Sequence, residues 1–224
     1  RYPCLREAIH FIPTWMDPEI FRPADAEERR ALRKSLLRET GFSISSRVLI
    51  YVGRLDSSKD PLRLLRAFHA VLAEGRDVVL VVVGDGVLRG ELESFVRGHG
   101  LDRRIALVGP KPQPRVADWL RAADLFVLSS AYEGMPMAVL EALGSGLPVA
   151  TTDVGEVRRV VRPGVNGEIA GSRSVEDLVR AVADCLDRLD TYAGAPCTEA
   201  VADYVPHKVL APVYDTYRVL AARA

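Results

Sequence analysis

Glu133 and Glu141 are eight positions apart and bracket the segment Glu133-Gly134-Met135-Pro136-Met137-Ala138-Val139-Leu140-Glu141, which follows an aliphatic run and opens a helical pattern. Pro136 fits the first helical position. The amides of Met137, Ala138 and Val139 then lack intrahelical acceptors and point, with the helix dipole, at an anion. Glu133 precedes the helix and Glu141 lies about one and a half turns inside it, so both can approach one ligand from different sides. The pattern alone leaves Glu141 open. A glutamate among Val139, Leu140, Ala142 and Leu143 is either a solvated helix position or a ligand contact.

A second constellation, Gly53-Arg54-Leu55-Asp56-Ser57-Ser58-Lys59, follows an aliphatic run directly. Two cations five apart at the end of a strand can straddle a diphosphate, and Gly53 lets the backbone come close. Arg and Lys in an exposed loop are more often merely solvated, but the ligand-binding edge of a sheet favours a functional reading. Gly84-Asp85-Gly86 departs from G-x-G-x-x-G, and no acidic residue ends the next strand near Val108 to grip a ribose, so a structural turn is expected there. No Gly is followed by Lys, which removes a P-loop, and no two Asp fall two apart, which removes a D-x-D metal clamp. The four His are scattered, the three Cys form no C-x-x-C pair, and Ser129 and Ser130 lie outside any G-x-S-x-G elbow. No metal site, disulfide framework or serine hydrolase is expected.

These groups need elements to position them. Arg47 to Val52, Val78 to Val83, Arg104 to Val108, Leu125 to Leu128 and Pro148 to Thr151 are aliphatic runs without period-two alternation, as strands covered on both faces require. Between them Pro61 to Ala73, Leu88 to Gly98, Pro114 to Ala122 and Pro136 to Leu143 carry helical spacing. The alternation predicts an α/β fold, a Rossmann-like parallel sheet with helices on both faces, whose ligands bind at the carboxyl edge of the strands. A charged helix is expected around Asp25 to Arg38. Helical sequence resumes from Ser174 to about Leu189 and from about Pro206 to Ala224, where the stripe Val209, Val213, Tyr217 and Leu220 must bury against something. The organisation expected is a connector over residues 1–23, a Rossmann-like α/β domain over 24–205 and a C-terminal helix over 206–224.

With 224 residues, 48% apolar and 27% charged, the composition is that of a globular chain too short for two full α/β nucleotide-binding domains. Thirty basic and thirty acidic residues cancel, so no overall field draws nucleic acid. The longest aliphatic run, Val78 to Val83, is far short of the roughly 20 residues a membrane span needs. The odd, widely spaced Cys suit a reducing cytoplasmic compartment, and a start at Arg1 without Met or leader reads as an excised fragment without a targeting segment.

Together these residues resemble the second, donor-binding domain of the group-1 (family 4) retaining glycosyltransferases of the GT-B fold, of which it would be one half. The resemblance starts at Ile12-Pro13 with Asp17, Phe21 and Pro23, runs through Val52-Gly53-Arg54-Leu55, Lys59-Asp60, Val83-Gly84-Asp85-Gly86, Val108-Gly109 and Ala123-Asp124, and peaks from Ser130-Ala131-Tyr132-Glu133-Gly134 to Glu141 and onward to Val149. It implies a hexosyltransferase-type enzyme taking the sugar of a UDP-, GDP- or ADP-sugar, without a cofactor and with no metal strictly required. By the same resemblance, Arg54 and Lys59 bind the donor diphosphate and stabilise its departure, Glu133 holds sugar hydroxyls and Glu141 the ribose. Gly53 permits close approach, Gly134, Met135, Pro136, Met137 and Val139 meet sugar and phosphate, and Gly84 with Gly109 to Lys111 borders the base. The acceptor, whether sugar, lipid or small molecule, and a catalytic His belong to a first domain absent from this sequence. Through that half the full protein can associate peripherally with the inner face of the membrane. The isolated chain is expected to bind donor without turning it over.

This sequence departs from the family pattern in Thr14-Trp15-Met16, where Asn-Gly-Val is frequent, and in Gly155-Glu156-Val157-Arg158-Arg159, where Gly-Gly-x-Pro-Glu is common. Pro136 replaces a frequent Gly. Two rival readings remain: an epimerase or phosphorylase-like enzyme on the same fold, and a non-catalytic nucleotide-sugar-binding module in which Glu133 and Glu141 are surface charges.

Overall fold

The computed structural model describes residues 12–43 and 45–222. Cys4 and His10, and the outer parts of the expected connector and terminal helix, lie outside the described residues. The order of elements is α1 (Ala26–Thr40), β1 (Arg47–Val52), α2 (Pro61–Ala73), β2 (Val78–Val83), α3 (Arg89–Gly98), β3 (Ile105–Gly109), α4 (Gln113–Ala122), β4 (Leu125–Leu128), α5 (Met137–Gly144), β5 (Val149–Thr152), β6 (Gly167–Ala170) and α6 (Val175–Asp187). Four short helices close the chain: α7 (Leu189–Tyr192), α8 (Ala195–Ala200), α9 (Pro206–Val209) and α10 (Ala211–Ala221).

The strands form one parallel sheet in the order β3-β2-β1-β4-β5-β6. Burial explains the unalternated sequence, because every residue of β2, β4 and β5 is buried. Helices α2, α3 and α6 pack together on one face, and α1, α4 and α5 on the other. Leu49 of β1 aligns with Leu80 of β2 on one side and Leu125 of β4 on the other. The chain winds outward from β1 to β3 and then returns to β4 beside β1. That reversal opens a crevice at the carboxyl ends of β1 and β4, the place where sheets of this topology bind ligands.

The amino edge is tied down by a buried carboxylate. Asp124 accepts from Arg29 (2.9 Å), Arg33 (2.9 Å) and the Val48 amide (2.7 Å), with its side chain only 3% exposed. Helix α1 is thereby fixed across β1 and β4. Its start is set by Asp25, which caps Glu27 N and Glu28 N, and its end by Gly41 in the left-handed conformation.

Three expectations are corrected. Strand β6 was not anticipated: it is a four-residue edge strand with a glutamate, half-buried at its centre. The predicted single terminal helix is two, broken at Leu210, because Pro212 opens α10 afresh. The apolar stripe does not bury: Val209 is inside, but Tyr217 and Leu220 are 66% and 56% exposed, since α10 buries no residue. Among the described residues no helix is long and apolar enough to cross a membrane.

Candidate functional site at the switch point of the sheet

Strand β1 delivers the loop Gly53–Asp60 to the crevice, and β4 delivers Ser129 to Pro136 beside it. Two sets of bonds hold the loops together. The amides of Ala131 and Tyr132 donate to Ser58 O (2.8 and 3.2 Å), and Ser129 Oγ donates to Lys59 O (3.0 Å) and Asp60 O (2.9 Å). Asp60 takes the left-handed conformation (φ 44°), which an Asp tolerates better than most residues, and caps α2. This geometry brings together Lys59 and Glu133, 74 residues apart: Nζ lies 2.5 Å from Oε1, with side chains 20% and 8% exposed. Ser130 Oγ donates to the same oxygen at 2.7 Å.

Arg54 is set differently. Its side chain is 74% exposed and pairs, among the described residues, with Asp56 (3.1 Å), whose own carboxyl is held below its usual value chiefly by the Ser58 hydroxyl. The turn beneath it is rigid. Tyr51 Oη donates to Arg54 O at 2.9 Å, and the Tyr51 hydroxyl is pushed well above its ordinary pKa by burial, then by the charges of Glu133 and Asp56. Gly84 (φ 135°) presses on this turn so closely that a Cβ there would stand 1.9 Å from Gly53 O. Gly53 N donates to Val83 O and Gly84 N to Gly109 O, both at 3.0 Å. Gly84 thus packs directly against the Gly53 backbone, where no side chain would fit. Gly53, Arg54, Gly84 and Lys111 share an open cleft of about 400 Å³ with Val83, Pro110 and Val116. Lys111 Nζ also sits 5.4 Å from the Trp119 ring centroid, a cation–π distance.

Helix α5 starts one residue later than its sequence suggests. Pro136 is the N-cap (φ −70°, ψ 108°), and the Val139 amide donates to Pro136 O at 3.0 Å. Val139 is fully buried in the core, so neither its side chain nor its amide is available to a ligand. Among the described residues, the amides of Met137 and Ala138 keep no acceptor. Met135 is half-buried against the core, and Met137 is 48% exposed at the mouth. Gly134 O accepts the Glu156 amide (2.8 Å), so the loop after β5 braces the Glu133 loop from outside. Gly155 (φ 52°) permits that contact: a Cβ would lie 1.9 Å from Gly134 O.

Glu141 is a partly buried helix position. Burial raises its pKa, and a hydrogen bond with Gln113, at the start of α4, offsets part of that effect. The two glutamates thus occupy different surroundings, Glu133 beside a cation and Glu141 partly buried with no ion-pair partner among the described residues. Sequence reasoning gave no role to Tyr51, Asp60, Ser129, Ser130 or Thr152. Their signal was position alone, since Tyr51, Ser129, Ser130 and Thr152 lie at or just past the carboxyl end of β1, β4 or β5, and Asp60 is the N-cap of α2. No group of three or more His, Cys, Asp or Glu among the described residues could hold a metal ion.

The family model for group 1 glycosyl transferases matches residues 33–193. The chain belongs to this family. It is 33% identical over 196 residues to a D-inositol 3-phosphate glycosyltransferase of Thermobispora bispora, covering 84% of this chain and 44% of the relative. It is 31% identical to the UDP-Gal:alpha-D-GlcNAc-diphosphoundecaprenol alpha-1,3-galactosyltransferase of Escherichia coli, covering 80% and 45%. The chain therefore spans less than half the length of these relatives. Among solved structures, the C-terminal domain of a group 1 glycosyl transferase from Francisella tularensis superposes with a TM-score of 0.71 at 22% identity, covering 84% of this chain and 96% of that domain. Anabaena HepE, solved in complex with UDP and glucose, superposes with a TM-score of 0.77 at 20% identity, covering 96% of this chain and 57% of HepE. The Rossmann-like parallel sheet of one half of a GT-B fold, expected from sequence, is the fold observed.

Proposed function

We propose that this domain binds a nucleoside diphosphate sugar and presents it for retaining transfer of the sugar to an acceptor held by another domain. The observation that carries the reading is the Lys59–Glu133 pair at the β1/β4 switch point, with Arg54 exposed beside it. It sets cations for a diphosphate next to a carboxylate for sugar hydroxyls. The diphosphate would lie between Arg54, Lys59 and the free amides of Met137 and Ala138. The base would enter the cleft at Gly84 and Lys111, and the ribose would reach Glu141. As the sugar leaves, negative charge grows on the diphosphate, and fixed cations and amide dipoles stabilise it without a metal. Transfer by the whole protein, its acceptor and any membrane contact belong to the same reading. The UDP-linked names and structures among the relatives support it.

Calorimetric titration with UDP, GDP and ADP tests it. Binding of at least one, weakened by Arg54→Ala, is the expected result; no binding at millimolar concentration overturns the assignment.

A further inference from the structure

Ser129 and Ser130 stand side by side where β4 ends, both fully buried, and each addresses one member of the Lys59–Glu133 pair. Ser129 Oγ bonds the backbone carbonyls of Lys59 and Asp60, at 3.0 and 2.9 Å. Ser130 Oγ lies 2.7 Å from Glu133 Oε1, and a carboxylate only accepts, so the hydroxyl must donate. Ser130 is itself fixed from behind, because Thr152 Oγ1 donates to its carbonyl at 2.7 Å and Thr152 is fully buried too. Lys59 and Ser130 converge on the same oxygen, Oε1. Among the described residues, Oε2 has no hydrogen-bond partner.

The two donors differ in what an incoming diphosphate does to them. Lys59 carries charge, so a diphosphate competes with Glu133 for it. Ser130 is neutral and buried, and it cannot follow. We infer that Ser130 is a positioning residue for the sugar-reading carboxylate: it keeps Oε1 of Glu133 anchored when Lys59 turns to the diphosphate, leaving Oε2 free for a donor-sugar hydroxyl. Ser129 does the corresponding work on the backbone of Lys59, and Thr152 holds the strand end that carries both. This inference rests on the donor reading of Glu133 and adds to it a division of labour between the two partners of that carboxylate.

The discriminating readout is the ratio of affinities for a nucleotide sugar and its bare diphosphate, because only the former engages Glu133 through the sugar. Calorimetry with UDP-glucose against UDP, and GDP-mannose against GDP, is run on the wild-type chain, Ser130→Ala, Ser130→Thr and Ser130→Ala in a Glu133→Ala background. Loss of a hydrogen bond to a charged group predicts that Ser130→Ala weakens the nucleotide sugar about tenfold and the bare diphosphate by less than about twofold. Ser130→Thr, which keeps the hydroxyl, restores the ratio, and Ser130→Ala adds nothing once the side-chain acceptor at position 133 is gone. Should Thr fail to fold in this buried position, Ser130→Cys, similar in size but a weak donor, must behave like Ala. Equal losses for both ligands, unchanged affinities or a further loss in the Glu133→Ala background would overturn the positioning role. If the wild-type chain binds none of the four probes, the donor reading itself falls, a result separable from the others.

Discussion

Replacing Glu133 by Gln should tighten binding of a bare nucleoside diphosphate. Lys59 is engaged at 2.5 Å by a carboxylate that is 8% exposed, and a diphosphate must draw the ammonium away. The amide keeps the shape and removes the competing charge. A fully exposed pair would be worth a few tenths of a kcal/mol and a fully buried one several. With Lys59 still 20% exposed, an intermediate value of about 1 kcal/mol is appropriate, equivalent to roughly fivefold in affinity. Arg54 provides the contrast: exposed and, among the described residues, paired with Asp56 alone, it gives up little on binding. Arg54→Ala should therefore weaken the diphosphate by more than Lys59→Ala. The assay is calorimetric titration of UDP and GDP into the wild-type chain and Glu133→Gln at low and moderate salt. Partial burial means that the gain should persist as salt screens exposed charges. An unchanged or weakened diphosphate affinity in Glu133→Gln would refute the competition between carboxylate and diphosphate for Lys59.

Three further outcomes follow from the geometry. Glu141→Gln should raise the unfolding temperature at neutral pH. Burial lifts the folded-state pKa of Glu141, so its ionisation costs stability as pH rises from the unfolded toward the folded value. The difference from wild type should vanish in buffer acidic enough to protonate an ordinary glutamate, and a difference independent of pH would contradict this. Asp124→Ala should cost about 3 kcal/mol in denaturant unfolding, because it strips Arg33 and the Val48 amide of a buried partner; a loss under about 1 kcal/mol would contradict the clamp. Gly155→Ala forces a Cβ to 1.9 Å from Gly134 O at a positive φ. The β5 loop must then withdraw, which should weaken nucleotide-sugar affinity while costing about 1–3 kcal/mol of stability, and unaltered affinity would remove that loop from the site.

Strands β1, β2, β4 and β5 were readable because burial on both faces erases polar alternation, and edge strand β3 because its Ile-Ala-Leu-Val run is aliphatic throughout; their order of appearance implied a parallel sheet. Edge strand β6 was not, since a four-residue Gly-Glu-Ile-Ala segment carries no such run. Spacing identified Arg54, Lys59 and Glu133 separately, whereas the contact between Lys59 and Glu133 depends on β4 lying beside β1, a fact of topology rather than of local sequence. Pro136 misled by one position because its fixed φ suits an N-cap as well as a first helical residue. Glu141 was ambiguous for a physical reason: an apolar neighbourhood in sequence does not reveal whether the helix turns that glutamate inward. The serines behind the pair were invisible, because a hydroxyl acquires a role only from the partner the fold gives it.

The central claim is that a nucleotide sugar docks at the carboxyl edge between β1 and β4. Backbone amide resonances followed by NMR during titration with UDP-glucose and GDP-mannose test this most directly. Shifts should concentrate at Gly53, Arg54, Lys59, Gly84, Glu133, Gly134, Met137 and Ala138. Saturable shifts confined to the amino edge around Arg29, Arg47 and Asp124, with these amides unmoved, would contradict it.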